Sequence, residues 1–201
     1  MRKFRRSTAA LILGLAAATT LGSAGPSDAA AGANPAVAPA GVWSASLEGV
    51  HGVAPDATVR QIARVSAAGT GLRVRLGNPF GATPVMIREA WLGRPIAPGS
   101  ARLALGSNQR VTFHGARTVA IPPGQEVFSD PVPITVAAQQ DVAVSLYAPG
   151  SPVNDHTFPP FAYDPPASYI GTGGNTASAT SDDAFPGYPV IPGNTGSTAT
   201  G

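Results

Sequence analysis

DVAVSLYAPG, Asp141 to Gly150, alternates strictly: Val142, Val144 and Leu146 fall on one face of an extended chain, and Pro149-Gly150 ends the run. Period-two alternation with β-branched residues predicts a strand with one buried face. Outward from it the same pattern recurs in Val111 with Phe113, Val119 with Ile121, and Ile134 with Val136. Turn signals separate these runs: Ala67-Ala68-Gly69-Thr70-Gly71, Pro98-Gly99-Ser100, Pro122-Pro123-Gly124 and Asp130-Pro131. No stretch beyond the N-terminal apolar segment has sustained three-and-four spacing. The expectation is all-β: about eight to ten short strands from Val42 to Ala148 in an antiparallel, jelly-roll-like sandwich.

Four arginines lie in one predicted hairpin. Thr58 to Val65 and Leu72 to Asn78 flank a glycine-containing turn. Arg60 and Arg64 share a face of the first strand, and Arg73 and Arg75 share a face of the second. Paired tightly, they would bring like charges together, which disfavours a ladder by some tenths of a kcal/mol, about 0.2–1 at most. The ordinary reading has Glu48, Glu89, Asp130 or Asp141 supply the counter-charge. The sharper reading makes the four arginines a docking face for an acidic partner domain or an anionic ligand.

At the N-terminus, Arg2, Lys3, Arg5 and Arg6 precede an apolar stretch, Ala9 to Leu21, and then small residues with A-x-A-like sites at Ser27-Asp28-Ala29 and Ala29-Ala30-Ala31. This is the pattern of a secretory leader. It is short and alanine-rich for a membrane span, so no stable membrane anchor is expected and the protein is read as exported. Residues 1–31 are taken as leader, 32–41 as an Ala/Pro/Gly linker, 42–170 as the β-sandwich and 171–201 as a Gly/Ser/Thr-rich tail. Disorder is expected at both ends.

Charge follows from that division. The chain carries 13 Lys plus Arg against 11 Asp plus Glu. Residues 1–31 hold four of the cations and one acid, leaving nine arginines against ten acids, net −1, in residues 32–201. Nothing here favours nucleic-acid binding. The chain has no cysteine, which removes thiol chemistry and leaves stability to packing.

The residues needed for ester hydrolysis are an activated serine, a histidine base and oxyanion donors. The chain has neither a G-x-S-x-G elbow nor a Gly-Asp-Ser block. Of three histidines, His51 borders a turn, and His114 follows Phe113 in an expected strand. His156 follows the SLYAPG run, as a loop histidine or as the border of a substrate cleft. Asp182-Asp183 is the one acidic pair, with no third ligand at useful spacing. No metal or other cofactor is implied. Trp43 and Trp91 lie in strand-like segments, where a core or inter-sheet position is the ordinary expectation. Exposed with Tyr147 and the C-terminal aromatics, they would form a sugar-facing platform. The C-terminal set, with Tyr169 and Phe185, is interleaved with prolines and reads as a strap over the sandwich.

Five phrases stand in order: TVRQIARVS (Thr58–Ser66), GLRVRLGNPFG (Gly71–Gly81), VTFHG (Val111–Gly115), FSDPV (Phe128–Val132) and DVAVSLYAPG. Together they resemble the N-terminal β-rich region of secreted bacterial SGNH/GDSL-type hydrolases, over about Val42 to Tyr169. The resemblance implies the support portion of a lipase- or acylhydrolase-like serine ester hydrolase. Its partner would be a C-terminal catalytic domain holding the nucleophile, so this chain alone is expected to be inactive. Past Tyr169 the sequence departs from that pattern. The alternatives are a stand-alone secreted module binding polysaccharide, or a surface protein with no ligand.

Overall fold

The computed structural model describes residues 12–18, 40–44, 56–79, 81–150, 168–171 and 173–186. Regular structure there comprises β1 (Ile12–Ala18), β2 (Ala40–Ser44), β3 (Thr58–Arg64), β4 (Gly69–Gly77), β5 (Val85–Ile87), β6 (Glu89–Gly93) and β7 (Gln109–Arg110). It continues with β8 (Val119–Ile121), β9 (Glu126–Phe128), β10 (Val132–Val136), β11 (Asp141–Tyr147), β12 (Ser168–Gly171) and a 3₁₀ turn, Asp182–Ala184. No α-helix occurs among the described residues, and every strand pairing is antiparallel. The all-β expectation holds, and β2 to β11 supply ten strands.

Three sheets form. One runs β10-β4-β1-β2, with β9 also on β4; the second runs β12-β3-β11-β6-β7; β5 and β8 make a two-stranded third. Alternation explains how they meet. Leu72, Val74 and Leu76 of β4 and Val132, Ile134 and Val136 of β10 turn inward from the first sheet. Val59 and Ala63 of β3, Leu92 of β6, and Val142, Val144 and Leu146 of β11 turn inward from the second. With Val85, Ile87 and Ile121 of the third they form one continuous apolar cluster. Each of the valines, leucines and isoleucines contributes ~1.5–3 kcal/mol on burial.

The hairpin expected from Thr58 to Asn78 does not form. β3 pairs with β11 and β12, while β4 pairs with β1, β9 and β10. The segment after β3 is drawn away from β4: Val65 N–H donates to the Gln140 carbonyl, and Ser66 N–H to the Val42 carbonyl. The β3–β11 ladder runs in full register from Thr58↔Tyr147 to Arg64↔Asp141. It thus sets Arg64 against an acid, where the hairpin would have set it near Arg73 and Arg75.

The ends also differ from expectation. Residues 12–18 and 40–44 are strands within the first sheet, where disorder was expected up to residue 41. Residues 173–186, assigned to a disordered tail, bond to the second sheet and behave as the strap that the aromatic-proline pattern suggested. Their backbone finds partners there: Gly174 N–H donates to the Asp56 carbonyl, and the Thr180 carbonyl accepts from Leu103 N–H. VTFHG buries Val111 and Phe113 as its alternation predicts, but Phe113 only bridges Ala116 across a tight turn. His114 stands in that turn at φ 51°.

Truncating Leu146, 1% exposed in β11, to alanine is expected to cost ~2–5 kcal/mol. Thr135→Ala, on the exposed face of β10, should stay within ~0.5 kcal/mol. Urea denaturation of the two variants checks which face of each strand is core.

Candidate functional site

β3 and β11 are buried on both faces, which pure alternation does not explain. Opposite the main core, Ile62 and Ala143 pack with Leu103, and Tyr169 lies against them. Residues 95–103 and the 173–186 strap cover this outer face. Register lines up a row across the sheet: Tyr169, Arg60, Ser145, Trp91 and Arg110. Beside it runs a second row, Gly171, Thr58, Tyr147 and Glu89.

Arg60 is at the centre and is 0% exposed. Its Nε donates to Ser145 Oγ at 2.7 Å, Nη1 to the Ala101 carbonyl at 2.6 Å and Nη2 to the Ala179 carbonyl at 2.5 Å. The Phe185 ring lies over the guanidinium, its centroid 3.9 Å from the central carbon. Burial lowers the Arg60 pKa to about 10, so the group remains a cation at neutral pH. Ser145 therefore faces a permanent donor that takes no proton, which gives its hydroxyl a structural role and no nucleophilic one.

The strap is fastened elsewhere too. Thr58 Oγ1 donates to the Gly174 carbonyl at 3.0 Å and accepts from Thr176 N–H at 2.9 Å. Asn108 Nδ2 donates to the Ser178 carbonyl at 3.0 Å. Gly171 is required by this closeness: a Cβ there would stand 2.1 Å from Thr176 Oγ1 and 3.1 Å from the Ala184 carbonyl oxygen.

Two strands away from Arg60, in the neighbouring row, Glu89 organises the rim. Its Oε1 accepts from Trp91 Nε1 at 2.7 Å and from Arg110 Nη1 at 2.8 Å, and Oε2 accepts from Asn175 Nδ2. The Arg110 guanidinium stacks over the Trp91 ring, 4.5 Å from its centroid. Burial raises the Glu89 carboxyl, but bonds from Asn175, Trp91 and Arg110 and the Arg110 charge outweigh it and hold it below its ordinary range. Tyr147 Oη donates to Asp56 Oδ1 at 2.6 Å. That bond, with some desolvation and the Asp56 charge, raises the phenol pKa.

The four arginines expected on one face are split between two sheets and have separate partners. Arg64 makes a two-point contact with Asp141, Nε–Oδ1 2.7 Å and Nη2–Oδ2 3.2 Å. Arg75 Nη2 pairs with Glu126 Oε1 at 2.7 Å, both side chains more than a third exposed. Arg73 Nε donates to the Ser129 carbonyl at 2.7 Å and stacks on Phe128. Of the acids named from sequence, Asp141 does neutralise Arg64. Asp130 instead holds the Thr112–Gly115 turn, accepting from Thr112 Oγ1, His114 N–H and Gly115 N–H. Trp91 lies half-buried on the outer face, against the expectation of a core position. Trp43 stands in β2 opposite Leu15; its side chain and the whole of His156 lie outside the described residues. No cluster of three or more His, Asp or Glu placed to hold a metal ion occurs among the described residues.

Sequence reasoning missed Asn175 and the Glu89–Arg110 pair. Glu89-x-Trp91 spacing was a usable signal, since alternate strand residues share a face; Asn175 carried none in a low-complexity stretch. No protein-family model matches this chain, and no curated protein matches it.

Arg60→Ala leaves the acceptors at Ser145, Ala101 and Ala179 without their donor. The expected loss is at least ~2 kcal/mol, with proteolytic cleavage within 173–186 well before global unfolding. Urea denaturation and limited proteolysis read both effects. A depressed carboxyl adds stability above its unfolded pKa, about 4.3 for glutamate, and loses it as pH falls through the folded value. Glu89→Gln should therefore be destabilising at pH 7 and progressively less so below about pH 4, measured as urea midpoints across that range.

Proposed function

We propose that this chain is the exported, non-catalytic β-sandwich portion of an SGNH/GDSL-type ester hydrolase, a support for a catalytic domain encoded beyond it. In this reading the two five-stranded sheets are the layers of a jelly-roll-like sandwich, and the shared apolar cluster is its filling. The serine nucleophile, its oxyanion donors and its Asp/His pair belong to the following domain, and none is carried by a residue here.

One observation supports the reading above others. The polar residues of the family-like phrases are engaged in building the framework. Thr58 and Arg60 hold the strap, Arg64 holds Asp141, and Ser66 Oγ donates to the Val42 carbonyl. Asn78 Nδ2 donates to the Thr83 and Ile121 carbonyls, and Ser129 Oγ accepts from Val74 N–H. Phrases consumed in this way specify a scaffold, so a likeness resting on them is a likeness of supporting structure.

A second reading has its own observation. Trp91, fixed in orientation by Glu89 and backed by Arg110, stands half-buried beside Tyr147 on the rim of the outer face. A rigid aromatic flanked by donors and acceptors suits contact with polysaccharide.

The native transcript past the codon for Gly201 separates the two. The expected frame runs on into a strand and a Gly-Asp-Ser block. A stop codon there overturns the support reading and leaves polysaccharide contact at Trp91 in its place.

A further inference from the structure

The segment expected to be a removed leader occupies the interior of a sheet. Ile12–Ala18 lies between β4 and β2, antiparallel to both. Against β4 its register runs Ile12↔Gly77, Leu13↔Leu76, Gly14↔Arg75, Leu15↔Val74, Ala16↔Arg73 and Ala18↔Thr70. Against β2 it runs Gly14↔Ser44, Leu15↔Trp43, Ala16↔Gly41 and Ala17↔Ala40. Removing residues 1–31 on export would therefore empty a slot in the middle of the sheet.

The neighbours are poorly placed to close that slot. β9 and β10 already occupy the other edge of β4. β2 is pinned where it is: the Val42 carbonyl accepts from both Ser66 N–H and Ser66 Oγ, each at 2.9 Å, and Val42 is 2% exposed in the core. To reach β4 it would have to move by one strand spacing, about 4.8 Å, giving up those contacts. It also runs in the same direction as β4, since both are antiparallel to β1. The emptied β4 would present a nine-residue edge whose Leu72, Val74 and Leu76 belong to the core. A long apolar edge with unpaired amides and carbonyls is a template for another strand.

We propose that the gap between β2 and β4 is a strand-acceptor site, filled by Ile12–Ala18 in the unprocessed chain and, after processing, by one extended strand from a partner polypeptide. The register defines the partner's chemistry. It is antiparallel to β4, aliphatic opposite Leu76 and Val74, glycine or alanine opposite Arg75 and Arg73, and free of proline over about six residues. The inference rests on residues 1–31 being removed on export and does not depend on the hydrolase reading, so either can fail without the other.

The test uses the full chain expressed in an exporting host, with the N-terminus of the product read by mass spectrometry. The probe is a synthetic peptide of residues 11–20, LILGLAAATT, flanked by lysines for solubility. Its control is the same peptide carrying Gly14→Pro and Ala16→Pro. The exported protein is expected to begin beyond Ala18 and bind the probe one-to-one. The probe should slow hydrogen exchange at the amides of Arg73 and Arg75, which by alternation with Val74 face the gap, by at least tenfold, and the proline peptide should bind at least tenfold more weakly. An exported protein that is unfolded alone and folds on adding the probe supports the same conclusion. The proposal is overturned if the exported protein retains Ile12, if it folds with the β1-facing amides of Arg73 and Arg75 already protected, if it stays unfolded with the probe, or if both peptides bind alike.

Discussion

A guanidinium buried to zero exposure and bonded to a hydroxyl and two carbonyls governs how the outer face of this protein is built. An unpaired charge in the interior costs several kcal/mol unless dipoles replace the lost water. Around Arg60 those dipoles come from Ser145 on the adjacent strand, Ala101 in the covering loop and Ala179 in the strap, with the Phe185 ring closing the last side. Two of the three lie 41 and 119 residues away in sequence. The charge therefore ties remote segments to a single geometry, because any other placement leaves it unsatisfied. Its lowered pKa, about 10, measures the residual penalty. The folded chain disfavours the charged form, so that penalty is fully present at neutral pH and is relieved only as pH rises through about 10 towards the unfolded value. An apolar residue of similar volume could match its stability, but without directional donors it would fix the strap less specifically.

Once Arg60 is covered, the rest of the outer face follows. The strap brings Asn175 to Glu89, and Glu89 then holds both Trp91 and Arg110. The loop that carries Ala101 brings Gly99 N–H to Asp141, beside Arg64. Burial raises the Asp141 carboxyl, but the Arg64 and Gly99 bonds and the Arg64 charge prevail and lower it. These carboxylates are stabilised in their ionised forms by donors that never accept a proton. Such a network suits rigidity. A general base needs the opposite, an environment that leaves its proton affinity near the working pH.

The parts of this fold legible in the sequence are those decided by local alternation. Val142, Val144 and Leu146 face the core as their spacing says, and so do Ile134 and Val136. Strand pairing was not local. Thr58 to Asn78 has every hairpin feature, yet its two strands belong to different sheets, because β3 gains a seven-residue ladder with β11 and an Arg64–Asp141 pair that no neighbour in sequence could offer. Arg60 misled for a related reason. Between Val59 and Gln61 it has the position of an outward residue, and nothing local announces a cover arriving from Gly174 to Phe185. Trp91 was expected in a core or inter-sheet position from its strand-like segment, whereas its indole N–H found Glu89 two residues away on the outer face. The strap's aromatic and proline content hinted at packing, but its glycine, serine and threonine content looked like disorder. Backbone carbonyls at Gly174, Ser178, Ala179 and Thr180 do most of its bonding, and carbonyls leave no trace in residue identity.

The N-terminal segment poses the same problem in a sharper form. The core stretch of an export leader must be apolar and uncharged, and a strand inside a sheet can be the same. Ile12–Ala18 meets both descriptions, so composition alone assigns it to either. As a strand its register is selective: Leu13 and Leu15 stand opposite Leu76 and Val74, while Gly14 and Ala16 stand opposite Arg75 and Arg73. An address needs no such match of large to apolar and small to charged, whereas a strand does. The match shows what β4 requires of its neighbour. That requirement stays with β4, whose inward leucines and valine belong to the core, whichever segment comes to meet it.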